Sequence, residues 1–489
     1  MQHAEDAGTE SGSVVSRAAR AALATGLPFL FLCQWAIFSG RIPARARYDQ
    51  LLYHEPAIRG FVSQWPAFDF YDYLSATTPG YHVLLACVAK FCSPHTAALQ
   101  IAGAVIGAVF VGGVAAAAAM RTTTMRAVAF TLPLACSLYV FTSGAWLLPD
   151  NLGWLGVTLI VLIALRERFS WGWLAAGGVV LLGLVFTRQI HLWAAAALWA
   201  AAFFAPVRGQ DVAELSGLRS DAGRRIGRAL TAVLVTLPAF GLVYAFVDLW
   251  GGLTPPRFQL QYSSVNPAAV PFFLAVFGGL SVFFLPTLLP RLVGLVRERR
   301  RATIVVAVAA VAAIVPATNY DYFAGRRTGL WNLVQKFPVI GGHTSPLVVV
   351  LAVWGGVCLA AWLGVIDLRR RLVLLVTLAG FWAAQAASVE LWQRYVEPFA
   401  LVLLALLAAF GSGAEGGAMG RVPALMRRAE IAFPVTLAIV FVALNVRGLV
   451  NAPMIADGPP AVRSTDDRSD IPAPPEVVVP AGGRRGLWW

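Results

Sequence analysis

Tyr48 to Tyr81, YDQLLYHEPAIRGFVSQWPAFDFYDYLSATTPGY, is a polar and aromatic stretch set between long apolar runs. It gathers Asp49, His54, Glu55, Asp69 and Asp72 in a chain that carries only 25 Asp and Glu among 489 residues. On both sides, apolar runs of about 17 to 22 residues recur to the ends of the chain, each suited to a hydrocarbon core roughly 30 Å thick. Hydrophobic residues make up 58% of the sequence and charged residues 13%, against about 25% charged in a soluble domain. Mean hydropathy is +0.70. The chain reads as an all-α polytopic membrane protein, with residues 48–81 inside a large first external loop.

Working outward from that loop, residues 1–21 are a polar cytoplasmic segment ending in Arg17 and Arg20, the flank of an uncleaved signal anchor. The membrane domain covers 22–448, with a first span at 22–40 and the loop at 41–97. Further spans fall at 98–119, 126–147, 151–166, 171–187, 190–206, 229–249, 270–290, 302–317, 346–365, 372–388, 396–412 and 431–448, about 13 in all. Within the loop, 79–91 is apolar but only 13 residues long; it reads as an interfacial helix, with a full span as the alternative. Residues 449–489, rich in Pro, Gly, Asp and Arg and closed by Trp488 and Trp489, read as an extended external tail. Cys33, Cys87, Cys92, Cys136 and Cys358 have no metal-like spacing and read as packing residues.

The formal charge of +13 does not point to nucleic acid, because the 38 Lys and Arg are spread through interhelical loops rather than along a groove with interleaved aromatics. With the N-terminus inside, 22 of those 38 lie on inner flanks, which sets the N-terminus inside and the C-terminus outside. The same orientation brings Asp49, Glu55, Asp72, Asp150, Arg188, His191, Trp250, Arg257, Asp321, Arg326, Lys336, Glu390 and Arg394 to the outer rim. Polar groups gathered on one membrane face either do chemistry there or mark loop ends.

Asp49 is the first candidate for a general base, since a carboxylate at a low-dielectric rim is suited to proton abstraction; its structural alternative is an ion pair with Arg45 or Arg47. Asp72 is the second candidate. Thr77 and Thr78 precede Pro79 and can cap the following helix. Asp150 reads either as the N-cap of the 151–166 helix or as a ligand contact. Arg188 and His191 stand three apart on one helical face, and the planar guanidinium of Arg188 suits a phosphodiester or a protein acid. The glycines and prolines of 250–261 and the aromatic, acidic and basic mixture of 319–336 suit a sugar. Glu390 and Arg394 are spaced for an i,i+4 pair. There is no phosphate-binding glycine loop followed by Lys and Ser/Thr, and no HExxH spacing, so an activated donor is expected in the membrane itself.

These residues resemble the Alg-type alpha-1,2-glucosyltransferases among the GT-C glycosyltransferases. The likeness rests on Tyr48 with His54-Glu55-Pro56, on YDYLSATTPG at 71–80, on FTRQIHLW at 186–193, on WGGL at 250–253, on Asn319 to Arg326, and on LWQRYVEPF at 391–399 with Arg394, Tyr395 and Pro398. Where the family carries Asp-Glu after the tyrosine, this chain has Gln50 and Leu51, which leaves Asp49 as the nearest acid. The resemblance implies a GT-C-like fold and transfer of a sugar from a polyprenyl-phosphate donor to a lipid-linked or envelope glycan acceptor, with inversion, on the non-cytoplasmic side. The composition fits a bacterial inner membrane, with the active site on the periplasmic side. On that reading Asp49, or failing it Asp72, is the base. The expected substrate contacts are His54, Glu55, Thr77, Thr78, Asp150, Arg188, Gln189, His191, Trp250, Arg326, Glu390, Arg394 and Tyr395, with Arg188 and Arg394 on the leaving phosphate. No cofactor is required, and a divalent cation held between acids is an option. A flippase for lipid-linked sugars and a non-catalytic membrane scaffold are the alternatives.

Overall fold

The computed structural model describes residues 2–206, 221–259, 264–413 and 424–452; the expected tail beyond 452 lies outside the described residues. Among them the chain is all-α. The N-terminal segment and first span form one helix, α1 (Gln2–Phe38). The first loop then folds as α2 (Ala44–Asp49), a π turn (Gln50–His54), α3 (Glu55–Gln64) and α4 (Gly80–Phe91). The bundle continues with α5 (Thr96–Ala119), α6 (Thr124–Cys136), α7 (Leu138–Ala145), α8 (Asp150–Ala164), α9 (Trp171–Thr187), α10 (Ala195–Phe203) and α11 (Ala222–Trp250). It closes with α12 (Ala269–Ser281), α13 (Leu285–Arg297), α14 (Arg299–Ile314), the short α15 (Leu330–Val334), α16 (Pro346–Leu363), α17 (Leu368–Ala386), α18 (Glu397–Gly413) and α19 (Ala424–Val450).

Local chemistry sets several boundaries. Thr123, Ser137, Ser345 and Asp367 accept backbone N–H groups at the starts of α6, α7, α16 and α17, satisfying donors that a helix leaves open. Gly251 ends α11 in the left-handed region at φ +72°, a conformation open to glycine because it lacks a Cβ.

Six helical stretches among the described residues are long and apolar enough to cross a membrane: 13–38, 96–119, 222–250, 269–297, 346–363 and 425–450. A seventh arises if α6 and α7, bent by 69° at Ser137, count as one crossing. The expectation of a GT-C-like fold with about 13 spans is thereby corrected. Its sequence count admitted runs of 16 or 17 apolar residues, and the helices formed there are short. The 15 residues of α8 reach only about 22 Å at a rise of roughly 1.5 Å per residue. α14 opens on three consecutive arginines and α17 carries three directly after its first residue, Leu368, which shortens their apolar part. The multi-pass character itself is evident in the outward faces of the long helices, where Phe31, Leu230, Leu234, Leu237, Tyr244 and Ile439 are exposed, as hydrocarbon contact requires.

α18 is the hub. Phe399 through Ala409 are all buried, and the helix touches α5, α6, α7, α8, α12, α13 and α16. The first loop has its own apolar core, built from Ile58, Phe61, Tyr73, Tyr81, Leu85, Leu147, Phe246 and Trp250. α4, at 12 residues, packs within it on α3 and against α5 and α9. Small residues let other helices approach closely: on α12 and α16, the Trp354 indole donates to the Gly278 carbonyl at 3.1 Å.

Polar contacts fall into two sets at opposite helix ends. At one rim, Arg41 donates to the Val450 carbonyl at 2.6 Å, Arg59 to Thr96 at 3.0 Å, and Trp250 to the Phe70 carbonyl at 2.7 Å. At the other, Arg121 and Arg370 meet Glu167 at 2.8 and 3.0 Å, and Arg126 meets Glu430 at 2.7 Å.

A Cβ on Gly355 would overlap the Leu274 carbonyl oxygen, whereas one on Gly113 would meet nothing within 4 Å. Gly355→Ala is therefore expected to lose about 1–3 kcal/mol or more through overpacking and to lower the thermal midpoint in detergent, while Gly113→Ala leaves it unchanged.

Candidate functional site

The residues LWQRY, 391–395, enter α18 through a 3-10 turn at Gln393–Tyr395. With three residues per turn, side chains at i and i+3 eclipse. Trp392 and Tyr395 accordingly stack, with ring centroids 5.5 Å apart and planes 13° from parallel. Guanidinium groups flank these rings. Arg327 lies 5.4 Å from the Trp392 ring centre and 4.2 Å from that of Tyr322. Arg394 lies 4.5 Å from Trp392 and 5.0 Å from Tyr395, and Arg188 is 5.0 Å from Tyr395. Each cation–π contact contributes on the order of 1 kcal/mol.

Every arginine in this ladder has a carboxylate from a distant segment. Arg327 pairs with Glu390 at 2.5 Å and Arg394 with Asp49 at 2.6 Å, and Arg188 pairs with Asp150. Arg394 also donates to the Tyr395 hydroxyl at 2.9 Å. Three positive and three negative groups balance. The Nε atoms of Arg188 and Arg394 are buried with no hydrogen-bond partner.

The sequence-predicted residues thus divide. Asp49, Asp150, Arg188, Glu390, Arg394 and Tyr395 come together in or beside the ladder. Asp49 pairs with Arg394, not with a neighbouring arginine of its own helix. Asp150 does not cap α8: Pro149 occupies the cap and Asp150 serves Arg188. Glu390 pairs with Arg327 across 63 residues instead of with Arg394 four residues on. Asp72 is elsewhere, held by Arg257 through two contacts of 2.9 and 2.8 Å. That hydrogen-bonded guanidinium holds its carboxyl below the usual range.

The other predicted residues brace the rim. Gln189 is a three-way clamp, accepting the Thr78 N–H at 3.0 Å and donating to the carbonyls of Ala76 and Leu253 at 2.9 and 2.8 Å. Thr78 donates its hydroxyl to the Val185 carbonyl at 2.6 Å and Thr77 contacts Ser75 at 3.0 Å; neither caps α4, whose N-cap is Pro79. Trp250 donates to Phe70. Arg326 donates to the Asn319 backbone and side chain, each at 2.8 Å, and so orders its own loop. Glu55 accepts from Arg59 at 3.1 Å and Thr96 at 2.5 Å. His191 packs edge-on against Trp154 at 5.1 Å, and neither ring nitrogen has a hydrogen-bond partner.

Sequence reading missed three contributors and gave Arg327 only within the sugar-suited mixture of 319–336. Arg327 and Trp392 complete the ladder; the W-x-x-Y spacing before a buried helix was the available signal. His82 faces His54 with Nδ1 and Nε2 2.9 Å apart. Gln50 is buried, accepts from Gln100 at 3.1 Å and the Leu147 N–H at 3.3 Å, and donates to Glu55 at 3.2 Å. It fastens the turn that carries Asp49. Pro56 stands in the first turn of α3, after the π turn has ended at His54, where a proline's missing N–H costs nothing. Among the described residues no three His, Cys, Asp or Glu side chains converge as metal ligands. No family model, curated protein or solved structure matches the chain.

Two predictions follow from burial. The Arg188 and Asp150 side chains are only 9% and 10% exposed, so Asp150→Asn strands a buried cation and is expected to cost about 3–5 kcal/mol. Asp72→Asn, at a far more exposed pair, costs about 1 kcal/mol or less; thermal unfolding of the two variants separates them. Burial also lowers the His54 pKa from 6.5 to about 4, against the opposing pull of Asp49. Between those values the unfolded chain binds a proton that the folded chain excludes, so stability is full above pH 6.5 and falls as pH drops toward 4. His54→Gln should flatten that acid limb in a melting series.

Proposed function

We propose that this protein transfers a sugar from a polyprenyl-phosphate donor to a lipid-linked or envelope glycan acceptor, with inversion, at the outer face of a bacterial inner membrane. The observation that carries the reading is the union of Asp49, Arg394, Tyr395, Arg188 and Asp150, drawn from four parts of the chain, at the rim opposite the Arg121–Glu167–Arg370 cluster. The tendency of arginine-rich loops to stay on the cytoplasmic side supports reading this rim as the outer one. The Alg-type resemblance draws on the same residues.

In the proposed reaction the donor phosphate approaches Arg394 and Arg188, whose planar guanidinium groups suit phosphate oxygens. By taking Arg394 as its partner it releases the Asp49 carboxylate. Asp49 then accepts the proton of an acceptor hydroxyl, the hydroxyl oxygen bonds to the anomeric carbon, and the bond from that carbon to the phosphate oxygen breaks. Polyprenyl phosphate leaves with the electron pair, stabilised by the two arginines. Asp72 fits a strut between the first loop and residues 256–258 better than a base, because both its oxygens are engaged by Arg257.

The test is transfer from labelled polyprenyl-phosphate hexoses and pentoses to membrane lipid extract by the purified protein. Asp49→Asn should lower turnover by about 10²–10⁴-fold with donor binding kept, and Asp72→Asn should retain most turnover. Wild-type protein that consumes no donor across the panel while moving labelled lipid across proteoliposomes would replace the transferase with a flippase.

A further inference from the structure

We propose that the segment joining α14 to α16, residues 316–345, seats an apolar and aromatic face in the lipid leaflet at the ladder rim and anchors that rim on phospholipid. The inference stands apart from the transferase reading. Tyr322, Phe323, Leu333, Phe337 and Ile340 of this segment are all exposed, Phe323 by 85% and Ile340 by 66%. Large apolar side chains so exposed, and so close in the chain, mark a surface that something covers.

The turns that carry them are fixed. A bridge between Asp321 and Arg326 closes one, and a bridge between Ile340 and Thr344 closes the other. Asp321 accepts the N–H groups of Phe323 and Ala324, each at 3.0 Å, and Asn266 donates to the carbonyls of Ala324 and Val389 at 2.9 and 2.8 Å. The two turns are also tied to each other. The Asn319 side chain donates to the Gly342 carbonyl at 3.0 Å, and the backbone N–H groups of Thr318 and Asn319 donate to the His343 carbonyl at 2.9 and 3.1 Å. One braced unit therefore carries both tips.

The helices on either side decide the occupant. Along α14 to its cap, Ile304, Val308, Val311 and Val315 are exposed, a spacing that makes one continuous apolar face. Val350, in the second turn of α16, is exposed as well. The apolar surface of the segment thus begins where the hydrocarbon-facing surface of its two helices ends, which selects lipid over a protein partner. Charge fits the same level. Arg326 and Arg327 turn to Asn319 and Glu390, while Lys336, exposed beside Phe337, has the long stem that carries an ammonium to headgroup phosphates. Aromatic rings at the membrane–water boundary set the depth of the chain that bears them. Seated there, the first turn also holds Arg327 at a constant depth beside Trp392.

Site-directed spin labelling of the full chain tests this, in vesicles of phosphatidylethanolamine and phosphatidylglycerol and in a background with Cys87→Ser and Cys92→Ser; the other cysteines are buried. Power saturation compares collisions with oxygen, which concentrates in the bilayer, and with a nickel chelate confined to water. Labels at Phe323→Cys and Ile340→Cys should favour oxygen severalfold, as a Val311→Cys label on α14 does, with thermal midpoints matching the background. Where Phe323→Cys does not fold, Phe337→Cys takes its place with the same expectation. Nickel-favoured collisions at both tips would overturn the proposal, as would spin–spin broadening that shows a second copy of the chain covering the face.

Discussion

A guanidinium removed from water must find a counter-charge or a π face, and three of them at one rim impose that requirement on almost every loop there. Arg394 arrives on the lead-in to α18 and needs Asp49 from the first loop. Arg188, at the end of α9, needs Asp150 from the start of α8. Arg327 needs Glu390, just beyond α17. Trp392 and Tyr395 hold the three in one line because a 3-10 turn eclipses them. The ladder therefore cannot form until the loops have docked, and the loops gain their register by completing it. Its foundation is α18, which touches most of the bundle and leaves its lead-in little freedom.

Arginine serves the opposite rim by different means. There Arg225 donates to the carbonyls of Phe203 and Ala205, Arg228 to that of Pro206, and Arg369 and Arg370 to those of Ala164, Leu165 and Arg166. These oxygens lie at the C-terminal ends of α8 and α10, where backbone acceptors are left open and the helix dipole favours a cation. There the guanidinium groups are anchored largely on backbone oxygens, with Arg370 also paired to Glu167 and Asp367, whereas each arginine of the ladder is held by a carboxylate and an aromatic face.

Much of this was legible in the sequence. Long apolar runs gave the membrane class, and arginine spacing separated the two rims. Asp49, Arg188 and Arg394 stood out because charged groups next to apolar runs are costly unless used. The number of spans was not legible, because composition registers how apolar a run is but not where its helix stops. Nor were the partners. The Asp49–Arg394 pair joins residues 345 positions apart, and no local pattern encodes such a distance. Asp150 looked like a cap because a carboxylate before an apolar helix usually is one; here Pro149 displaced it inward by one residue, and a buried guanidinium claimed it. Gln50 was invisible for the opposite reason, since a neutral side chain that works by bracing a turn carries no chemical signature.

The π turn at Gln50–His54 sets the phase of the helix that bears Asp49. Its wider coil brings i,i+5 neighbours together, as the Tyr48–Tyr53 and Gln50–Glu55 contacts at 3.1 and 3.2 Å display. Such a turn is an α-helix with one residue too many, so removing a residue inside it lets the chain close to ordinary α geometry with Asp49 still in phase, whereas removing one from the regular turns of α3 would rotate everything before it by about 100° relative to the core of the first loop. The π turn is therefore a slack ring beside the carboxylate: a single-codon deletion within it leaves the acid presented to Arg394, and the same deletion in α3 turns it away.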